Sequence, residues 1–329
     1  MGLATPTAVM VGIGRAAKNG ILIKGGNTLE KFSSIKQIFF DKTGTITTGN
    51  FKIKSFNIID GDKDEIKNII YNLELHSSHP IANSLVKELS SHSEKIELNN
   101  IIEEKGISVS ATLDKDVFTI GSSRILNKKT EGTHDLYVTK NNILVATIDI
   151  EDEIKQDVSN TISELNKLGI KTSLLSGDKT KKCNYISQKI SFTNVYSEKL
   201  PSEKLEVIKS SLENEDIAMI GDGINDAPAL SLATIGISIG GASGIAIQSS
   251  DIVLLNKNSL QQLTKALQIS KHTFLTIKQN LFWAFAYNIV AIPVAAMGYL
   301  DPMWGALFMA FSDVIVIGNS IRLKYKTLN

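Results

Sequence analysis

Asp41 opens the segment Asp41-Lys42-Thr43-Gly44-Thr45-Ile46-Thr47, directly after the apolar run Ile38-Phe39-Phe40. Such a run reads as a buried parallel strand, and a carboxylate at its C-terminal end sits where α/β sheets bind ligands. Small residues and a glycine beside it leave backbone N–H groups free to hold phosphate. A lone Asp after a strand could simply cap a helix, but two later segments repeat the pattern. Residues 170–175 end in Ser176-Gly177-Asp178, and residues 217–220 end in Gly221-Asp222-Gly223-Ile224-Asn225-Asp226-Ala227-Pro228. Two or three carboxylates on one edge would collect Mg2+, a hard ion that takes oxygen ligands. Mg2+ and Lys204 would offset charge on a transferring phosphoryl group. Asp41 would then attack as a carboxylate nucleophile and form an aspartyl-phosphate.

These residues need a scaffold, and the intervening sequence predicts one. Residues 152–168 carry a helical pattern (Ile154, Val158, Ile162, Leu165), and residues 202–212 form a second helix that carries Lys204. Strands alternating with helices predict an α/β fold built on a doubly wound parallel sheet. The acidic tips of the first and third strands then converge on one edge. Residues 50–142 interrupt this sheet with strand-like segments (FKIKSFNII, DLYVTK, ILVATIDI) around a helix with Ile81, Leu85 and Leu89 at spacing four.

Composition bounds the rest. The chain has 329 residues, 35 Lys+Arg against 34 Asp+Glu, and a net charge of +1, so no basic field favours nucleic acid. The single cysteine, Cys183, excludes an intrachain disulfide framework and reads as an inert thiol. Residues 280–300 carry no charge and residues 302–321 carry only Asp313. Each is long enough for a hydrocarbon core of about 30 Å, so the pair predicts a transmembrane helical hairpin. Lys271 and Lys278 precede it, Arg322, Lys324 and Lys326 follow it, and the turn has no Lys or Arg. The positive-inside rule puts both outer ends and the soluble mass in the cytoplasm. A buried soluble hairpin is the alternative. Gln279 and Asn280 read as markers of the water interface. Residues 2–14 are apolar but only about half a span, and read as the inner half of a helix.

The order and spacing of DKTGTIT, SGD and GDGINDAP closely resemble the P-type ATPases, ion pumps whose phosphorylation domain has the haloacid-dehalogenase-like fold. Leu3-Ala4-Thr5-Pro6-Thr7, Lys18-Asn19-Gly20-Ile21-Leu22-Ile23-Lys24-Gly25-Gly26 and His79-Pro80 look like the heavy-metal pumps. Gln279-Asn280-Leu281-Phe282-Trp283-Ala284-Phe285 and Tyr287-Asn288 resemble the copper-type branch. The resemblance implies four regions: a membrane helix and extension over 1–24, a phosphorylation domain over 25–49 and 143–277, an inserted α+β nucleotide-binding domain over 50–142, and two membrane helices over 278–324. It implies a catalytic set of Asp41, Lys204, Thr43, Ser176, Gly177, Asp178, Asn225 and Asp226, with Asp41, Thr43 and Asp222 on Mg2+. Glu74, His79, Gly106 and Gly121 are implied to hold ATP. Tyr287, Asn288, Met309, Ser312 and Asp313 are implied to handle the transported metal, with Cu+ expected from soft ligands.

Several positions depart from the family pattern. Its Gly-x-Gly is Glu104-Lys105-Gly106 here, its Gly-Asn is Gly121-Ser122, its Gly-Thr-Asp is Ala242-Ser243-Gly244, and a following Glu is Gln248. Asp313 stands where a Ser is expected, and a carboxylate within a span usually faces a partner or an ion path. That residue suits a Zn2+, Cd2+ or Co2+ pump. A soluble phosphohydrolase and a non-catalytic nucleotide-binding remnant are the other readings. The resemblance implies the C-terminal part of a pump, without its actuator domain and N-terminal helices. The expected partners are the lipid bilayer, that N-terminal part and a metallochaperone. The expected location is a bacterial plasma membrane, with the phosphorylation and nucleotide domains in the cytoplasm.

Overall fold

A computed structural model describes residues 2–77, 79–104, 107–126, 134–223, 226–299 and 301–328. The chain begins with α1 (Ala4–Lys18), β1 (Ile21–Ile23), α2 (Gly26–Ser34) and β2 (Gln37–Phe40). Then follow β3 (Thr47–Ile58), α3 (Lys63–Glu74), α4 (Pro80–Leu89), β4 (Asn99–Glu104), β5 (Ser108–Leu113), β6 (Asp116–Gly121), β7 (Leu136–Lys140) and β8 (Ile143–Ile154). After these come α5 (Val158–Lys167), β9 (Lys171–Leu175), α6 (Thr180–Lys189), β10 (Asn194–Tyr196), α7 (Pro201–Leu212) and β11 (Ile217–Gly221). The last elements are α8 (Ala227–Leu232), β12 (Ile235–Ile239), α9 (Gly244–Ser249), β13 (Ile252–Leu254), α10 (Gln261–Ala296) and α11 (Pro302–Arg322). Two compact units result, one of residues 1–46 and 155–329, the other of residues 47–154.

In the first unit a seven-stranded sheet runs β1-β13-β12-β11-β2-β9-β10, parallel throughout except where β1 meets β13. This is the expected α/β architecture with an antiparallel edge. β2 lies between β11 and β9, with Phe40 opposite both Ile220 and Leu174. Phe39, Leu175, Ile217 and Met219 share a core with Ile208 of α7 and Leu230 of α8. The alternate residues Ile38, Phe40, Ala218 and Ile220 are equally buried, so both faces are covered and the strands read as continuous apolar runs.

In the second unit an antiparallel sheet runs β3-β8-β7-β6-β5-β4. α3 and α4 bury Ile66, Ile69, Ile70, Leu73, Leu85 and Leu89 against Val109, Phe118 and Ile148. Asp62 caps α3 by accepting from the Asp64 and Glu65 amides.

The expected helix over 152–168 starts later. Residues 152–154 finish β8, where Asp152 pairs with Phe51, and the helix begins at Val158. The apolar spacing that suggested an earlier start mixes one strand residue, Ile154, with three helix residues. Asp152 belongs to the strand because its carboxylate accepts from the Thr47 hydroxyl at 2.5 Å and the Gly49 amide at 3.0 Å.

α10 begins in the first unit, where it packs against α2 and α5, and continues to Ala296, with Pro293 near its end. A turn with Gly298 at φ +77° leads to Asp301, which caps α11 by accepting from the Met303 amide. Among the described residues one helix, spanning Met303–Tyr325, is long and apolar enough to cross a membrane. Beyond Ala284 many apolar residues of both helices are exposed, Ile289 at 70% and Phe311 at 66% among them, while Ala284 and Val316 are buried. α1 packs along α10 and α11. Asn280 is completely buried there and is no marker of a water interface. It donates to Ala4 O at 3.0 Å and Ser320 Oγ at 2.9 Å, and accepts from Asn319 at 2.9 Å. Apolar surroundings force each of these polar groups to find a partner on a neighbouring helix.

Candidate active site

The loop after β2 places Asp41. Its amide donates to Ile220 O at 2.9 Å, so the sheet ladder continues one residue beyond the strand and fixes the carboxylate at the edge. Gly44 adopts φ +73°, and a Cβ there would run into the Asp222 carboxylate. Glycine is therefore required twice, by the left-handed backbone and by the close approach. α7 brings in Lys204. Pro201 occupies its first turn, and Glu203 folds back to accept from the Leu200 amide.

Lys204 Nζ donates to Asp41 Oδ1 at 2.5 Å and to Asp226 Oδ1 at 3.2 Å. Asp41, Asp222 and Asp226 each offer a carboxylate oxygen, and these oxygens lie within 4.8 Å of one another. Among the described residues no other group of three His, Cys, Asp or Glu converges in this way. An all-oxygen set of this charge fits Mg2+.

The electrostatics follow from burial. Burial and the neighbouring Asp226 and Asp222 push the Asp41 carboxyl up to about 7, against the pull of Lys204. Burial, then Asp226, also raises Asp222, with Lys155 and Lys257 opposing. Burial works against the charge on Lys204, but Asp41 and Asp226 outweigh it and raise its pKa. One ammonium thus serves two carboxylates, and the acidic excess is what a divalent cation would neutralise.

Ser176 is buried at the end of β9 and its Oγ accepts from the Asp178 amide at 3.1 Å, while Gly177 is exposed. The Asp178 carboxylate forms an ion pair with Lys42, which ties the second loop to the first. Thr43 is exposed on the Asp41 loop. Asn225 lies outside the described residues. Sequence reasoning missed two cations here. Lys42 was legible only as a motif member, and Lys155, which donates to Gly44 O at 2.8 Å, carries no local signal at all. Around the altered Ala242-Ser243-Gly244 segment, the Ser243 amide donates to Asp222 O at 3.0 Å and its hydroxyl caps α9. Lys24 Nζ donates to the Ile247 and Gln248 carbonyls, so position 248 is used here through its backbone.

In the second unit a cavity of about 500 Å3 is lined by Glu74, Ser77, His79, Glu103, Gly121 and Asp135, among others. Gly106 lies outside the described residues. Burial, and then Glu103, push the Glu74 carboxyl up to about 7. His79 caps α4, its Nδ1 accepting from the Ile81 amide at 3.2 Å, so a neutral ring carries its proton on Nε2. A Cβ on Gly121 would strike the Ile107 carbonyl and come within 2.7 Å of Ser108 Cβ. The small residue there is required by the β5–β6 pairing.

The metal-handling candidates lie on the hairpin. Asn288 donates to Ala284 O within α10, Met309 is 59% exposed, and Ser312 and Asp313 are half-buried on α11. The Tyr287 side chain lies outside the described residues. Among the described residues Asp313 joins no converging group of His, Cys, Asp or Glu. Cys183 is buried behind the second loop.

Residues 35–234 match the haloacid dehalogenase-like hydrolase family. The chain is 36% identical over 343 residues to a copper-exporting P-type ATPase of Staphylococcus haemolyticus, covering 98% of this chain and 42% of that protein. It is 38% identical to a copper-transporting ATPase of Saccharomyces cerevisiae, covering 98% and 36%. The chain therefore spans less than half the length of these curated relatives. A zinc-transporting PIB-type ATPase structure in the E2.Pi state superposes with a TM-score of 0.80 at 26% identity, over 98% of this chain and 55% of that one. The catalytic domain of a CPx-ATPase superposes with a TM-score of 0.69 at 28% identity, over 79% and 98%.

Proposed function

This chain belongs to the haloacid dehalogenase-like hydrolases, and from that membership and its P-type ATPase homologues we propose that ATP phosphorylates Asp41 in a heavy-metal transport cycle. The contact of Lys204 with Asp41, beside two further carboxylates, is the observation that carries the reading. An Asp41 oxygen forms a bond to the γ-phosphorus as the bond to the β,γ-bridging oxygen breaks, and ADP leaves with that oxygen. Water later attacks the aspartyl-phosphate, releases phosphate and restores the carboxylate. Lys204 balances the charge gathered on the phosphoryl oxygens and holds Asp41 in line. Asp41, Thr43 and Asp222 would hold Mg2+, which when bound neutralises charge on the same oxygens. Ser176, Gly177, Asp178, Asn225 and Asp226 complete the proposed catalytic set. Glu74, His79, Gly106 and Gly121 serve the nucleotide.

The cargo is a heavy-metal cation. The relatives' names favour Cu+, handled on the hairpin by Tyr287, Asn288, Met309 and Ser312. Asp313 favours the second reading, a divalent cation such as Zn2+, because a carboxylate is a hard ligand. The helices lie in a bacterial plasma membrane, the phosphorylation and nucleotide domains face the cytoplasm, and the pump's remaining domains and a metallochaperone are its partners. The test is labelling from γ-labelled ATP. We expect an acid-stable, hydroxylamine-labile label in the native chain and none in Asp41→Asn. An equal label in that variant would overturn the reading.

A further inference from the structure

We propose that Lys155 and Asp157 are positioning residues that together tie the loop carrying Asp41 to the first turn of α10. The proposal rests on the phosphorylation reading above and adds a route by which the state of Asp41 reaches the helix that leads to the hairpin.

The argument starts with a buried ammonium. Lys155 is 3% exposed, a costly place for a lysine unless its charge is used. Its Nζ donates to Gly44 O at 2.8 Å, and its amide donates to Ile46 O at 3.0 Å. One residue therefore grips both ends of the turn 44–46. The loop that contains this turn carries Asp41 at its start and is pressed against Asp222 at Gly44. A shift of the loop that accommodates a phosphoryl group cannot leave the Gly44 carbonyl in place, because the carbonyl belongs to the moving backbone.

Asp157 supplies the second half. It occupies the N-cap of α5, where an aspartate ordinarily bonds the amides of its own first turn, yet its side chain makes no such bond. Its Oδ2 is turned to another helix. It accepts from Ser259 Oγ at 2.7 Å, the Leu260 amide at 2.7 Å and the Gln261 amide at 3.0 Å. Leu260, the N-cap residue of α10, has no side chain that could do this. The cap of α10 is thus supplied chiefly by a residue remote in sequence, with Ser259 Oγ also accepting from the Gln261 amide at 3.3 Å. Only Gln156 separates Lys155 from Asp157, so the grip on the loop and the grip on the helix are joined by two peptide units, about 7 Å of chain. Such a short link has little slack, and the start of α5 at Val158 anchors its far side.

The experiment uses the full chain in lipid nanodiscs, loaded with Mg2+ and beryllium fluoride, which caps a carboxylate as a phosphoryl mimic. Hydrogen exchange of residues 259–264 is the readout. In the native chain, loading changes this exchange about threefold or more. Lys155→Met, with beryllium fluoride and Mg2+ raised until the Asp41 site is filled, removes the change, and Lys155→Arg retains it. Asp157→Ala speeds the exchange about tenfold with or without loading, as loss of a cap dictates. A response at 259–264 that survives Lys155→Met, or is missing from a native chain that does bind beryllium fluoride through Asp41, overturns the proposal alone. Absence of any Asp41-dependent binding overturns the phosphorylation reading and the proposal with it.

Discussion

Lys204 and Asp41 stand 163 residues apart in sequence and 2.5 Å apart in space. The same ammonium reaches Asp226 at 3.2 Å. A single cation thus holds together the ends of two strands whose carboxylates would otherwise repel one another. Replacing it with the uncharged Lys204→Met lowers phosphoryl labelling by about 10²–10³-fold, the usual cost of removing one preorganised donor from a phosphoryl or oxyanion site. Labelling rates at saturating ATP check this, and a rate within twofold of native would refute it.

Gly44→Ala tests the packing of the first loop against the third. The added methyl has to displace the Asp222 carboxylate, and the φ of +73° strains any residue with a Cβ. Labelling falls, and the Mg2+ concentration needed for half-maximal labelling rises about tenfold, because the displaced residue is a candidate Mg2+ ligand. An unchanged Mg2+ midpoint would show that Asp222 is not pressed by the loop.

Glu74 provides the pH test. Its carboxyl titrates near 4.5 when unfolded and at about 7 in the cavity, chiefly through burial and secondly through Glu103. Between these values the native state holds the extra proton, so stability falls as pH rises through the window. Above pH 7 the loss reaches up to about 3 kcal/mol, at about 1.4 kcal/mol for each unit of displacement. Glu74→Gln has no such charge to bury. Its advantage over the native chain therefore grows from nothing near pH 4.5 to its full size by pH 8. Chemical denaturation at three pH values measures the gap, and parallel curves would contradict it.

Asn280 joins three helices, so its loss spreads beyond its own side chain. Asn280→Ala removes the side-chain donor to the Ala4 carbonyl and the acceptor of the Asn319 amide, while Ser320 Oγ keeps Val316 O and Thr7, and costs about 1–3 kcal/mol. Thermal unfolding in detergent reports it. A neutral result would mean that water replaces the amide.

Much of this arrangement was legible in the residues. The apolar runs before Asp41, Ser176 and Gly221 became adjacent buried strands because a sheet covered on both faces leaves no polar alternation to confuse the pattern. The convergence of Asp41 and Asp222 followed from strand order, as the adjacency of their strands shows. What escaped were groups whose partners are remote in sequence. Lys155 and Asp157 sit in a charged stretch, Glu151 to Asp157, that resembles a solvated helix start. Nothing local says that Gly44 and the first turn of α10 will take up their charges. Asn280 was misplaced for the same reason, since a polar residue at the edge of an apolar stretch looks wet until neighbouring helices close over it. Gly121 fitted a ligand-facing pattern, yet its lack of a side chain is dictated by the adjacent strand.

The unbroken length of α10 has a mechanical corollary. From Gln261 to Ile292 the helix has no proline, and at about 1.5 Å per residue this is a rod of roughly 48 Å. One end is clamped among α2 and α5, and the other stands among exposed apolar side chains. With no proline between them, a tilt at the clamped end would carry the far end through a larger arc.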